Sequence, residues 1–205
     1  MDEQEYLNQI SAENRPVKKS RAGGLFSSKI FMAIGIGVVA LILIIIIGSI
    51  LGSGKDDEKN LATTLKLHLS NTTEIIDKYQ PEVKSSDLRS SSASLKGVLT
   101  NTDKDLTAFL TEVYEYNEKK VDQKILDEIT LEKDGLESEL FEAKINGILD
   151  RIYAHKMAYE VSMFLSEESD LMNLTKNEAL KEALSSSYNS LENLYNSFND
   201  FSETK

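Results

Sequence analysis

The hydrophobic positions of this chain form one unbroken block, followed by several helical repeats. The block runs from Ile30 to Leu51 without a charged residue, and Lys29 and Lys55 flank it. A helix rises about 1.5 Å per residue, so about 20 apolar residues cross a hydrocarbon core about 30 Å thick. Since lipid offers the backbone no hydrogen-bonding partner, the block predicts a transmembrane helix over residues 30–52.

The apolar block has two alternative interpretations besides a membrane span. A buried core helix would normally leave a polar face, which this run of Leu and Ile residues lacks. A cleaved signal peptide usually has an apolar core of about 7–15 residues behind a short basic leader. Gly52 and Gly54 do have the small-residue spacing of a cleavage site, but the length of the block favours an uncleaved signal-anchor.

The charges around the block predict its orientation. Five cations precede it, namely Arg15, Lys18, Lys19, Arg21 and Lys29. Because Lys and Arg accumulate on the cytoplasmic side, residues 1–29 are predicted to be a cytoplasmic basic tail and residues 53–205 to be extracytoplasmic. The protein is therefore expected in the cell membrane as a single-pass chain. The basic tail could also contact anionic membrane lipid, although a topology signal is enough to explain it.

After the block, apolar residues recur at steps of three and four, which is typical of amphipathic helices. The first repeat runs from Leu61 to Tyr79, just before Pro81. The second extends from Leu88 to Tyr116, with a possible break near Asn101, and Ser85 or Ser86 is its expected N-cap. These two repeats predict two long helices separated at the proline.

The third and fourth repeats cover the rest of the chain. The third spans residues 122–166, with a kink or break expected at Asp134-Gly135. It contains two apolar seams: Ile125, Ile129, Leu136 and Leu140, and then Phe141, Ile145, Ile148, Ile152, His155, Tyr159 and Ser162. A polar link at residues 166–170 then separates it from the fourth repeat, for which Thr175 and Glu178 suggest a capping box.

The distribution of glycine and proline indicates the fold class. After Gly54 the chain has only Gly97, Gly135, Gly147 and Pro81. A β-domain of this length would need many tight turns rich in such residues. We therefore predict an all-α protein, in which a single transmembrane helix precedes an extracytoplasmic antiparallel bundle of about four helices. An extended coiled coil is the alternative.

Composition excludes several classes of function. The chain has 23 basic and 34 acidic residues, and only five of the basic residues lie before the apolar block. An outer domain this acidic lacks the clustered cations that contact nucleic-acid phosphates, so no nucleic-acid partner is expected. The absence of cysteine means that packing, rather than disulfides, must stabilise the outer domain.

No motif predicts catalysis, a cofactor or a metal. A di-iron bundle requires Glu-x-x-His pairs, but Leu65 precedes His68 by three residues and Ile152 precedes His155. Each histidine lies on an otherwise apolar seam and is expected to be packed rather than functional. The acidic clusters at residues 56–58 and 167–170 lack the calcium-loop spacing and are interpreted as a helix start and a solvated loop.

Two groups of residues are candidate packing or binding surfaces. Gly48 and Gly52 form a Gly-x-x-x-Gly pair, a spacing that lets two membrane helices approach closely and would permit homo-oligomers. Near the C-terminus a heptad seam ends in Leu191, Leu194, Phe198 and Phe201, which could be bundle core or a partner surface.

These features predict a membrane-anchored helical protein that is not an enzyme. Its expected role is that of a protein-binding scaffold or accessory subunit of an envelope complex, with other membrane or envelope proteins as partners and no known small molecule. The alternative is a ligand-sensing bundle, with a pocket near Tyr153, Tyr159 and Tyr188. Because only 29 residues precede the block, such a sensor would signal through a separate partner.

Overall fold

The computed structural model of the chain describes residues 54–201. Five α-helices make up this region: α1 Gly54–Tyr79, α2 Ser86–Tyr114, α3 Gln123–Ile145, α4 Leu149–Leu174 and α5 Glu178–Asn199. Short 3-10 turns lie at Gln80–Glu82 and Glu118–Lys120. No strand occurs among the described residues, so the expected all-α class and helical bundle are confirmed for this region.

Four of the helices form a ring in the order α1, α2, α5, α4, and each packs against the next. The fifth helix, α3, lies outside this ring and covers the groove between α1 and α4. Residue contacts give the directions: Lys96 of α2 pairs with Asp77 near the end of α1, while Tyr114 reaches back to Glu58 near its start. The short connections likewise reverse the chain, so successive helices are antiparallel.

The peripheral helix α3 runs parallel to α1 and is fastened to it by exposed ion pairs. Lys133 pairs with Glu74, and Lys78 pairs with Glu137 one turn further along both helices. Exposed pairs of this kind contribute at most about 1 kcal/mol each. The few buried side chains of α3, namely Ile129, Leu136, Leu140 and Ala143, therefore supply most of its attachment.

The bundle core consists of the seams of the four ring helices. Every member of the predicted α1 seam is buried: Leu61, Leu65, His68, Thr72, Ile75 and Tyr79. The α5 seam is also buried from Leu180 through Phe198. Along α2 the seam is buried from Leu88 to Leu110, whereas Val113 in its last turn is exposed.

Two predicted helix boundaries are confirmed by their local geometry. α1 ends at Tyr79, and Pro81 lies in the 3-10 turn that follows, because a residue before proline is disfavoured in the helical region. α2 begins after Ser85, whose side chain accepts a hydrogen bond from the Leu88 amide. The possible break near Asn101 is absent, since α2 continues through that position.

The predicted organisation of the third repeat was wrong, and this makes five helices rather than about four. α3 passes through Asp134 and Gly135 without a break. The chain instead reverses at residues 146–148, where Gly147 has a φ of +71°. This left-handed conformation is unfavourable for residues with a Cβ, so glycine ends the helix here. Nothing in the apolar periodicity marked that position.

The second predicted seam of this repeat was also wrong. Because the reversal uncouples the two halves, Phe141 and Ile145 of α3 are exposed, as are His155 and Ser162 of α4. The buried face of α4 instead comprises Leu149, Tyr153, Ala154, Met157, Ala158, Glu160, Val161, Met163, Phe164, Glu168 and Leu171. Residues 166–170 belong to this helix and are not a link.

The start of α5 differs from the predicted capping box. Asn177 is the N-cap, and its side chain accepts a hydrogen bond of 2.9 Å from the Leu180 amide. Thr175 ends α4, and its hydroxyl accepts a hydrogen bond from the Asn177 amide. Asn fills the cap position as well as Thr does, so the sequence offered two competing caps two residues apart.

The predicted transmembrane helix at 30–52 lies outside the described residues. Within residues 54–201, no helix has the length and apolar character needed to span a membrane.

Candidate functional site

A buried polar cluster joins α1, α3 and α4 and is the most unusual feature of the core. His68 of α1 contacts two carboxylates of α4: its Nε2 lies 2.8 Å from Glu160 Oε2, and its Nδ1 lies 3.1 Å from Glu167 Oε2. Thr72, one turn after His68, donates a hydrogen bond of 3.4 Å to Glu160. The Phe164 ring covers the imidazole at a centroid distance of 4.5 Å.

The hydrogen-bond geometry favours a charged His68. A neutral imidazole has one donor and one acceptor nitrogen, whereas an imidazolium has two donors. Both carboxylates can only accept, so a doubly protonated ring satisfies both contacts. Burial alone would lower the pKa of His68, but the charge of Glu167 and the hydrogen bonds to Glu160 and Glu167 raise this pKa well above 6.5.

Further titratable groups surround this cluster. Burial raises the pKa of Glu132 on α3, against the opposing attraction of His68, and repulsion from Glu167 and Glu160 raises it further. Burial and the same three carboxylates raise the pKa of Tyr159 to about 12. The cluster thus gathers three carboxyl groups around one imidazolium in a poorly solvated position.

A second polar layer crosses the core between α2, α4 and α5. Glu168 is fully buried, and its Oε1 accepts a hydrogen bond of 2.6 Å from Ser187 Oγ. Thr102 of α2 donates to the same Ser187 oxygen at 2.8 Å. Burial raises the pKa of Glu168 to about 8, despite the lowering effect of the Ser187 hydrogen bond. This carboxyl group is therefore mainly protonated at neutral pH.

A third polar layer anchors the loop between α2 and α3. Lys66 is largely buried, and its Nζ lies 3.4 Å from both Asp103 and Glu118 and over the ring of Tyr116. Burial lowers the pKa of Lys66, but the charge of Asp103 and the smaller effects of Tyr116 and Glu118 raise the pKa overall. These contacts hold the chain after Glu115, whose φ of 50° reverses its direction at the end of α2.

The described surface includes several open clefts. One of about 410 Å³ lies between α2 and α5, lined by Asn101, Asp105, Ser186 and other small or polar residues. Another of about 330 Å³ lies between α4 and α5 and includes Tyr159 and the exposed His155. A third, of about 750 Å³, lies where the α1–α2 and α3–α4 turns meet and contains Lys84, Lys144 and Asp150.

The polar cluster consists of groups that can gain and lose protons. In the described part of the chain, no group of three or more His, Asp or Glu side chains is placed so that it could hold a metal ion. The carboxylates of the His68 cluster already pair with the imidazolium. The chemistry available to this cluster is therefore the gain and loss of protons. The expected ligand pocket is not formed by the tyrosines together: Tyr153 is fully buried in the core.

The residues that the sequence suggested as packing, binding or site residues do not lie together in the structure. Gly48 and Gly52 lie outside the described residues. Leu191, Leu194 and Phe198 lie in the bundle core, and Phe201 is partly buried against it. The only predicted site-like residue in the polar cluster is His68, which is packed as expected, whereas His155 is exposed.

Sequence reasoning missed Glu160, Glu167 and Glu168. The last two were interpreted as part of a solvated loop, yet Glu168 has 0% exposure. A usable signal existed, because Glu160 and Glu167 are one heptad apart on the face that contains Phe164. Two glutamates on an otherwise apolar face made the alternative seam, with Ile148 and Ile152, look more hydrophobic.

An apolar surface is left uncovered on α3. Among the described residues the exposed large hydrophobics are Val113, Leu131, Phe141 and Ile145, and the last three lie on the outer side of α3. Leu131 and Ile145 are both 68% exposed, and Phe141 is 56% exposed. At 100° per residue these positions lie within about one quarter of the helix circumference. We call them the α3 outer face.

Comparison with known proteins found no relative. The chain matches no protein-family model, and neither a curated protein nor a solved structure is significantly similar to it.

Proposed function

We propose that the protein is a single-pass membrane protein whose extracytoplasmic helical bundle binds other envelope proteins as a scaffold or accessory subunit. The observation that carries this proposal is the α3 outer face. Leu131, Phe141 and Ile145 are large, apolar and more than half exposed. Phe141 and Ile145 lie about one turn apart, and Leu131 lies about 15 Å away along the same side of the helix. Exposed apolar side chains on one face are a common feature of protein-binding sites.

The position of this face on a peripheral helix supports the same role. α3 packs mainly against α1 and α4, and its opposite side presents the exposed Leu131, Phe141 and Ile145. A helix presented in this way can pack against a groove or helix of a partner through residues spaced by about one turn. The apolar block at residues 30–52 would anchor the bundle in the membrane, and the preceding cations would direct it to the extracytoplasmic side.

Site-specific photocrosslinking tests the binding role. A photoreactive amino acid would replace Leu131, Phe141 or Ile145 in the full-length chain, with Thr100 and Ala108 as exposed control positions on α2. We expect the same adduct from the three α3 positions and none from the controls. An adduct with a second copy would identify a homo-oligomer. Equal labelling at test and control positions would contradict the proposal.

A loss-of-function variant complements the crosslinking. The triple substitution L131S/F141S/I145S should abolish the adduct formed from a fourth position on α3, such as Ser138, and leave the melting temperature within a few degrees. The fold should survive because all three side chains are exposed in the bundle. Undiminished crosslinking by a folded triple variant would exclude the α3 outer face as the binding surface.

Protease accessibility tests the membrane topology independently. Protease added to intact cells or spheroplasts should digest the part after Lys55 and spare an epitope placed before Arg15. A mature species that begins at Lys55 would instead identify the apolar block as a removed signal peptide.

The alternative function is ligand sensing, and the 750 Å³ cleft is the observation that favours it. Its volume lies within the range of small-molecule sites, about 300–1,000 Å³. Saturable stabilisation by one compound in a thermal-shift screen, lost in Lys144→Ala but retained in Lys96→Ala, would support this function.

A further inference from the structure

The side chain of His68 is so deeply buried that its protonation state affects the structure around it. Its exposure is 8%, and the exposures of its partners Glu160 and Glu167 are 10% and 12%. Both ring nitrogens lie within hydrogen-bonding distance of a carboxylate. A buried carboxylate that loses its cationic partner is left uncompensated in a medium where charges are poorly screened.

Loss of the His68 proton would turn one attractive contact with a glutamate into a repulsive one. A neutral ring can donate to only one of the two glutamates, so its other nitrogen would face a carboxylate with a lone pair. The repulsion between Glu160 and Glu167, which the imidazolium now offsets, would then be unopposed. A flip of the imidazole ring cannot remove this conflict, because acceptors stand on both sides of the ring.

We propose that His68 is a charge-dependent latch: its imidazolium fastens α1 to α4, and loss of its proton in alkaline conditions loosens this seam. The inference concerns the fold and does not rest on the proposed binding role of the α3 outer face.

The surrounding charges on every packed helix favour this assignment. On α4 the facing groups are Glu160, Glu167 and Tyr159, with Glu168 next to Glu167. On α3 the facing group is Glu132, whose charge interacts with that of His68. The charged or hydroxyl groups of α2 that reach α1 are directed elsewhere, since Asp103, Lys96 and Tyr114 contact Lys66, Asp77 and Glu58. All the carboxylates near His68 thus favour its charged form.

The direction of the pH effect follows from linkage. The pKa of His68 is raised on folding, so its stabilising contribution is fully present below the unfolded value of about 6.5. The contribution disappears as the pH rises through the folded value. Between these limits the unfolding equilibrium constant should increase by up to about tenfold per pH unit on account of His68.

The first test measures the charge of His68 directly. The chain has only two histidines, so ¹³Cε1-histidine NMR of the full-length protein in detergent micelles gives two signals. His155→Gln assigns them, and the exposed His155 is an internal control. We expect His68 to remain charged at pH 6.5 and Glu167→Gln to move its titration to lower pH. A neutral His68 at pH 6.5, or a titration unmoved in Glu167→Gln, would overturn the proposal.

The second test asks whether this charge stabilises the bundle. Because Glu168 also titrates, all proteins would contain Glu168→Gln. Between pH 6 and pH 9 the unfolding equilibrium constant of H155Q/E168Q should rise more steeply than that of H68Q/E168Q, which lacks the His68 proton. Parallel pH profiles would overturn the latch. If H68Q/E168Q does not fold, E167Q/E168Q replaces it. The rise of its unfolding equilibrium constant must end at a lower pH than that of H155Q/E168Q. An unchanged end point would also overturn the latch.

Discussion

Ser187 Oγ donates a hydrogen bond of 2.6 Å to Oε1 of Glu168, and this contact joins α5 to α4 inside the core. The other carboxyl oxygen of Glu168 has no hydrogen-bond partner among the described groups. A carboxylate in this position would be poorly compensated, because burial disfavours its charged form. The bundle is therefore most stable when Glu168 is protonated.

Glu168→Gln should reduce the loss of stability at rising pH. The pKa of Glu168 is about 8 in the fold and 4.5 in the reference state, so the folded protein holds an extra proton between these values. Stability from this group is full below about pH 4.5 and falls up to about pH 8. One pKa unit corresponds to about 1.4 kcal/mol, so the total loss is a few kcal/mol.

Denaturant unfolding at pH 5 and pH 8.5 checks this prediction. The Gln variant should keep an oxygen that accepts from Ser187 and should lose less stability than the wild type between the two pH values. Glu182→Gln, at an exposed position on α5, is the matched control and should follow the wild type. An identical pH profile for E168Q and wild type would contradict a buried, protonated Glu168.

Ser187→Ala should destabilise the bundle by about 1–3 kcal/mol. The substitution removes the donor to Glu168 and the acceptor for Thr102, and leaving buried polar groups unsatisfied costs about this much. Ser185→Ala on the exposed side of α5 controls for the change in helix propensity. Equal unfolding free energies for the two variants would show that the buried hydrogen bonds contribute nothing measurable.

Gly147→Ala and Gly135→Ala should change stability in opposite directions. Gly147 has a φ of +71°, where alanine is disfavoured by about 1–2 kcal/mol. Gly135 lies inside α3, and an added Cβ would meet no atom within 4 Å. Alanine there should stabilise by about 0.5–1 kcal/mol. Thermal unfolding of the pair measures both effects, and destabilisation by G135A would show that α3 is not a regular helix at this point.

Deletion of residues after Ser190 should unfold the helical bundle. It removes the buried Leu191, Leu194 and Phe198, each worth about 1.5–3 kcal/mol when buried. The sum is comparable to the total stability of a typical domain, about 5–15 kcal/mol. Circular dichroism should show lost helicity, whereas a chain that ends at Phe201 should remain helical. A cooperative melt at an unchanged temperature would mean that this seam does not stabilise the bundle.

Local periodicity predicted the helices whose buried faces are simple. In α1 and α5 apolar residues recur at three and four positions, and these positions are the buried ones, from Leu61 to Tyr79 and from Leu180 to Phe198. Pro81 and Ser85 marked the first turn because proline geometry and serine capping act over only a few residues. Such features are local, so they can be derived without knowledge of the packing.

The α3–α4 region could not be derived in the same way. Its sequence offers two alternative apolar faces, and the choice depends on which neighbours each helix meets. The face with Glu160 and Glu168 is buried because His68 and Ser187, distant in the chain, provide the hydrogen bonds that compensate for burial. A carboxylate without those partners would have been expected on the surface.

The sequence by itself determined the all-α class, the acidic outer region and the seams of α1 and α5, because composition and helical periodicity are properties of the chain alone. Only the tertiary structure decided that α3 is peripheral, that Phe141 and Ile145 are exposed, and that Glu160 and Glu167 enclose His68. The enclosure of His68 depends on contacts between residues 88–99 positions apart in the chain. A buried charge is tolerated only when such a distant partner arrives with the opposite charge or a hydrogen bond.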